Sequence, residues 1–395
     1  MSSLQAERLA RSGEKLLSEG AFAEAAQAFR DALLDDPVHS PARLGMARLG
    51  LGIGLPDAAK TLLDGLLARE PKNAEALVLR ALVQEGSGEL EQAIATLSKA
   101  VAAAPSAAFT HYQLGRALCV SGRFDQAVAE LQAAARIDPK AVVVAYALGV
   151  AHEAAGKKGE AIAAYTHALA LDPRFADGYL TLADVLCEVG REDMAAKLLA
   201  QGRALLPQVG ALSDKLAAVR LKQNDLPGAV AALQAQTAVD PSEEAFCNLA
   251  TAALAAGDAR AAAAAIDRLV ADFPHGWRGH HLKSMMLDAA DRADAATSEL
   301  RLAVKLAPEE WRPLNDLGTL LNSKRSPEAV EMLERAARLA PDELVPAYNL
   351  ALAYWNAGRG KDARAAAEKL LGRAPASHPV AQKAREFLAA LLEQH

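Results

Sequence analysis

The sequence predicts an all-α fold: a right-handed superhelical solenoid of about eleven 34-residue helix-turn-helix units, closed by a C-terminal capping helix. Three regularities predict it. Pro37, Pro71, Pro105, Pro139, Pro173, Pro207 and Pro241 stand 34 residues apart, and Pro274, Pro308, Pro341 and Pro375 continue the ladder at spacings of 33, 34, 33 and 34. With each closing proline set at position 32, position 20 is alanine throughout, from Ala25 through Ala127 and Ala229 to Ala363. Position 15 is glycine in eight units, with Asn224 and Asp291 replacing it in two more. A fixed period carrying two helix-length apolar patterns is what stacked helical hairpins produce.

Each part of the unit follows from its residues. In the first helix, position 8 is small: Gly13, Ala47, Ala81, Gly115, Gly149, Ala183, Ala217, Ala250, Ser284, Gly318 and Ala351. Two helices approach closely only where side chains are small, so this position and the alanine at position 20 mark the contact. Position 24 of the second helix carries the large partner, as in Phe29, Leu131, Tyr165 and Leu333, and falls to Ala367 only in the last unit. Glycine, asparagine and aspartate at position 15 accept the left-handed backbone that ends a helix, which places the turn between the helices. Unit 10 lacks the turn glycine and one residue near Asn322 to Arg325, where its hairpin corner falls. The other seven prolines (Pro41, Pro56, Pro227, Pro313, Pro327, Pro346, Pro379) fall at turns or in first helical turns, where proline is tolerated.

Residues 1–375 are thus expected to form the repeat array and 376–395 a solvating C-terminal helix. In that helix Val380, Ala384, Phe387, Leu388, Leu391 and Leu392 share one face. The five residues before the first unit are too few for a separate cap, so Gln5, Glu7, Arg8, Arg11 and Glu14 are expected on its solvated side. No linker, low-complexity tail or appended catalytic module is expected.

Composition agrees. The chain is 52% hydrophobic but only 4% aromatic, so the apolar excess is alanine and leucine, which suits close-packed helices. Net charge is −6, about −5 of it in the first 200 residues, and only the last 45 are locally basic, at about +3. So small an excess fits a solvated surface, and nucleic acid is not an expected partner. Cys119, Cys187 and Cys247 are odd in number and about two repeats apart, too far to pair. They read as reduced, small apolar residues of a cytoplasmic protein. Glu7 and Arg8 fall where a secretory signal needs an apolar core. Nor does the longest uncharged apolar stretch, residues 141–151, reach the length of a membrane span, so no membrane insertion is expected. Abundant alanine, with arginine favoured over lysine, suggests a bacterial source.

A small residue at position 8, alanine at 20, a large apolar residue at 24 and proline at 32 resemble the tetratricopeptide repeat family, over essentially the whole chain. Position 27, small in that family, is Leu66, Gln236, Leu269 and Leu370 in four units, whose inter-repeat contacts are expected to be looser or differently spaced. The resemblance implies that first helices line a concave groove, with positions 2, 5, 6, 9, 12 and 13 facing it. Those positions place Val78, Leu82, Phe109, Tyr112, Val143, Tyr146 and Val150 in the groove, bordered by Arg48, Arg116, Glu153 and Asp184. A second segment would present Arg278, His281, Met285, Arg312, Asn315, Tyr348, Asn349, Leu352 and Trp355. Large residues at helical spacing are also what inter-repeat core would show. No unit has lysine at position 5, as family members that clamp two carboxylates do, so chaperone C-terminal tails are not expected partners. An asparagine ladder at position 6, used by others, is matched only at Asn248 and Asn349.

His275, His280 and His281 cluster around Trp277 and Arg278, but adjacent helical residues diverge by about 100°, so a polar helix start explains them better than a metal site. No glycine-rich phosphate loop, nucleophile elbow or paired-cysteine motif occurs. The expected function is a non-catalytic adaptor, without metal or cofactor, that binds an extended peptide or amphipathic helix of another protein. A self-assembling scaffold is the alternative, and an enzyme or enzyme-regulatory subunit is third.

Overall fold

The computed structural model describes residues 2–375 and 377–393, the side chains of residues 2, 3, 392 and 393 excepted. Twenty-three α-helices and no strand occur among them. They pair along the chain: α1 (Ser2–Ser18) with α2 (Phe22–Asp35), α3 (Ser40–Gly52) with α4 (Pro56–Leu67), α5 (Ala74–Gly86) with α6 (Leu90–Ala103), and α7 (Ala108–Val120) with α8 (Phe124–Ile137). The next pairs are α9 (Val142–Ala154) with α10 (Lys158–Leu171) and α11 (Ala176–Glu188) with α12 (Glu192–Leu205). Then follow α13 (Gly210–Lys222) with α14 (Leu226–Val239), α15 (Glu243–Ala256) with α16 (Ala259–Asp272), and α17 (Trp277–Ala289) with α18 (Ala293–Leu306). The last are α19 (Trp311–Ser323) with α20 (Glu328–Leu339), α21 (Leu344–Asn356) with α22 (Gly360–Leu371), and α23 (Pro379–Glu393). The chain forms two compact units, Met1–Leu206 and Pro207–His395.

Within each pair the helices meet at the small and large residues that the repeat supplies. Alanine at position 20 is buried in every pair, at 0% exposure for Ala25, Ala127 and Ala296. A Cβ added to Gly115 would lie 2.6 Å from Leu131 Cγ, and one at Gly318 2.5 Å from Leu333 Cγ. Only glycine fits there, because the facing side chain already fills the space of a methyl group.

Every intra-pair turn closes in the same way: the N–H one residue past the left-handed position donates to the carbonyl five residues back, as Arg123 N donates to Leu118 O at 2.9 Å. This satisfies a carbonyl that the helix end leaves unpaired. Eight glycines, Asn224 and Asp291 hold that position. In the pair α19/α20, which lacks the turn glycine, Arg325 takes the left-handed conformation at φ 55° and Ser326 N still reaches Leu321 O at 2.9 Å. The missing residue is absorbed one step later. Ala329 N donates to Ser326 O, three residues back, where Ala127 N in α8 donates to Arg123 O, four back.

The larger residues at position 27 are accommodated: Leu66, Leu269 and Leu370 are at most 1% exposed. Gly279 makes room for Leu269, whose Cβ would stand 3.1 Å from a Cβ at that glycine. In α23, Ala381, Ala384 and Leu391 are buried and Phe387 packs edge-on against Tyr348 at 6.4 Å between ring centroids. The Leu392 side chain and Gln394 lie outside the described residues. Among the described residues, no helix is long and apolar enough to cross a membrane.

Candidate functional site

Consecutive first helices pack on one another, α1 on α3, α3 on α5, α5 on α7 and α7 on α9 in the first unit, and α15 on α17, α19 on α21 and α21 on α23 in the second. Consecutive second helices make no comparable contact. The first helices therefore form the inner layer of each unit, and their outward-turned positions form its inner face.

On that face of the first unit, Phe109 of α7 and Val143 of α9 are each 56% exposed, at the same repeat position. Val150, two helical turns further along α9, is 38% exposed. Tyr112 and Leu82 are half-buried against the core. Tyr146 is also half-buried: its ring lies 5.0 Å from Phe175, edge-on, and 5.3 Å from Tyr165, and its hydroxyl is 2.9 Å from Thr181 Oγ1. Val78 is corrected from groove to core, because only 1% of it is exposed among Leu77, Ala81 and Leu97. The bordering charges are mostly engaged. Arg116 reaches Glu85 at 2.6 Å, Arg48 pairs with Glu14, and Glu153 accepts a 2.7 Å hydrogen bond from the Tyr165 hydroxyl. Burial of the Tyr165 phenol, followed by that carboxylate, raises its pKa far above the usual tyrosine range. Asp184 is exposed.

In the second unit, Arg278 and Arg312 occupy one repeat position in α17 and α19, and each guanidinium lies over the tryptophan that precedes it, 5.8 Å from Trp277 and 4.9 Å from Trp311. They border a cavity of about 400 Å³ with Cys247, Asn248, Trp277 and His281. Burial, then Glu243, pushes the Cys247 thiol up to about 11, against the opposing pull of Arg278. His281 Nε2 lies 2.7 Å from Asp316, whereas His280 turns into the pair and meets Glu299 at 2.8 Å. The adjacent histidines thus diverge, and no group of three or more His, Cys, Asp or Glu side chains suited to a metal occurs among the described residues. Asn315 is 5% exposed and accepts from Asn349 Nδ2 at 2.9 Å, so it braces α19 and α21 and offers little surface. Met285 is 46% exposed, while Tyr348, Leu352 and Trp355 are half-buried.

Models of the tetratricopeptide repeat match residues 16–83, 74–106, 112–176, 247–311 and 319–378. The chain belongs to the tetratricopeptide repeat family. No protein of curated function matches it. Among solved structures, it is similar to yeast Tom70 (15% identity, TM-score 0.46, 100% of this chain and 97% of that one). It is also similar to TTC0263, a thermophilic TPR protein of Thermus thermophilus (27%, 0.41, 46% and 99%), and to PilW, a type IV pilus biogenesis factor (20%, 0.49, 54% and 97%).

Sequence reasoning on the tetratricopeptide repeat frame missed three features. Val120, at the end of α7, is 67% exposed and extends the apolar strip begun by Phe109. Its place at position 13 was the available signal. Phe175, just before α11, and Thr181, within it, fix Tyr146 from beyond its own helix pair and carry no local sign of that role. A cavity of about 590 Å³ lies between α10 and α12 over α11, lined by Leu169, Tyr179, Leu186, Met194 and Leu198. It opens between second helices, on the opposite side of the layer from Phe109.

Proposed function

We propose that this tetratricopeptide repeat protein is a non-catalytic adaptor that holds an extended peptide or amphipathic helix of a partner protein against its first helices. Repeats of this family generally mediate protein–protein interaction. The observation that carries the finer reading is the exposure of Phe109 and Val143, 56% each, at equal positions of neighbouring inner helices. Apolar surface of this kind, continued by Val150 and rimmed by the Arg116–Glu85 pair, is what a partner's apolar side chains can remove from water. Half-buried Tyr112 and Tyr146 supply a firm floor and do not act as free anchors. Cys119, Cys187 and Cys247 form no disulfide, which suits a reducing compartment such as the cytoplasm.

The test is the double variant Phe109→Ser, Val143→Ser, compared with wild type for the polypeptides retained from the native extract and for mass by light scattering across a concentration series. The adaptor reading expects a specific polypeptide to be lost from the variant while its melting temperature is kept. Mass that grows with concentration in the wild type, and not in the variant, would assign the face to a second copy of the chain instead.

A further inference from the structure

We propose that the inner face of the second unit reads charge on a polypeptide with a three-residue period: a basic residue, two acidic residues and an apolar residue, each three positions from the next. This rests on the reading of the family as protein-binding, but on different residues from those proposed above. Position 2 of α15, α17, α19 and α21 is Glu244, Arg278, Arg312 and Val345. All four are exposed, Val345 by 42%. Glu244, Arg278 and Arg312 line the same cavity of about 400 Å³.

Arg278 is the observation that points to a ligand. Elsewhere on inner helices arginines hold carboxylates, Arg48 with Glu14 and Arg116 with Glu85. The Arg278 guanidinium lies over the Trp277 ring, 5.8 Å from its centroid, and makes no ion pair or hydrogen bond among the described residues. A guanidinium whose contact is an indole face keeps its N–H donors available for a bidentate carboxylate. Arg312 donates to Glu310 Oε1 at 3.0 Å, and that carboxylate also accepts from the Arg312 backbone N–H at the start of α19. With five N–H donors, the Arg312 guanidinium retains capacity for a second acceptor. Asn248 beside them is exposed, and its amide makes no hydrogen bond among the described residues, so it is available to a peptide backbone.

The period follows from geometry. Stacked helices stand about 10 Å apart. A polyproline II segment rises about 3.1 Å per residue and returns to the same face every three residues, about 9 Å along. One side chain in three therefore meets position 2 of each successive repeat. Complementarity then dictates Lys or Arg opposite Glu244, Asp or Glu opposite Arg278 and Arg312, and an apolar residue opposite Val345.

The probe is a fluorescein-labelled peptide, acetylated and amidated so that only side chains carry charge, with Lys, Glu, Glu and Leu at every third position. It is made in this order and in reverse, and fluorescence anisotropy is read with the full chain at about 50 mM salt. One order should bind, and replacing both Glu by Gln should weaken it at least tenfold. Arg278→Glu should weaken it as much while leaving the melting temperature unchanged, and a peptide with Lys in place of the facing Glu should recover at least tenfold on that variant. Phe109→Ser, Val143→Ser should bind the peptide as wild type does, so failure of the adaptor surface in the first unit remains separable. The proposal is overturned if neither order binds, if Glu and Gln peptides bind equally, if the charge swap fails to rescue, or if a single-stranded oligonucleotide displaces the peptide and binds more tightly.

Discussion

Gly149 lies beneath the ring of Tyr165: a Cβ at Gly149 would come within 2.5 Å of both Cδ1 and Cε1 of the tyrosine. Tyr165 is fully buried, and its hydroxyl is held by Glu153, so the ring cannot swing aside. Gly149→Ala should cost about 1 to 3 kcal/mol, the range for forcing extra volume into a packed core. Gly159 on α10 has nothing within 4 Å of its would-be Cβ. Gly159→Ala should be neutral or stabilise by up to about 1 kcal/mol. Urea denaturation of the two variants checks the pairing; equal shifts would refute it.

Turn chemistry gives a second prediction. Arg325 holds a left-handed backbone at φ 55°, a conformation that costs an L-residue about 1 to 2 kcal/mol. Arg325→Gly should therefore raise the melting temperature, whereas Gly122→Ala, at φ 78°, should lower it. Calorimetry of the two variants reads both signs.

Alkaline pH gives a third. Burial of Tyr354, then its hydrogen bond to Glu334, pushes the phenol up to about 12 from an ordinary value near 10. A raised folded-state pKa contributes stability that is fully present below the unfolded value and is lost as pH climbs through the folded one. The stability advantage of wild type over Tyr354→Phe should hold to about pH 10 and fade toward pH 12. An advantage unchanged across that window would contradict the assignment.

The aromatic floor gives a fourth. Tyr146 touches Tyr165 and Phe175 and bonds to Thr181. Tyr146→Ala should cost about 2 to 4 kcal/mol, while Phe109→Ala, at a mostly exposed side chain, should stay within about 0.5 kcal/mol. Paired thermal melts distinguish a floor from a free anchor.

The helix pairs were legible in the sequence because their determinants lie within one repeat. Ala127 and Leu131 are four residues apart on one helix face, and Gly115 meets them from the preceding helix. Turn positions were legible for the same reason, except Arg325, whose left-handed backbone is imposed by the hydrogen bond from Ser326 to Leu321 and leaves no trace in residue type. The candidate site was less legible. Whether Val78 or Phe109 faces solvent depends on how the next repeat settles on it, and a repeat position fixes a direction and not an exposure. Tyr146 shows the same limit, since Phe175 and Thr181 close over it from 29 and 35 residues further on. Carboxylate partners were similarly hidden: Arg116 finds Glu85 from the preceding repeat, and His281 finds Asp316 from the following one.

Photo-crosslinking from the inner face tests the adaptor account most directly. A benzophenone amino acid would replace Phe109 or Val143, and in a matched chain Gln132, which is exposed on the second helix α8. The account predicts one partner polypeptide crosslinked from 109 and from 143, through a contiguous segment of that partner, and none from 132. Crosslinks that arise from 132 and spare 109 and 143 would contradict it, and would place the partner on the second-helix side of the repeats.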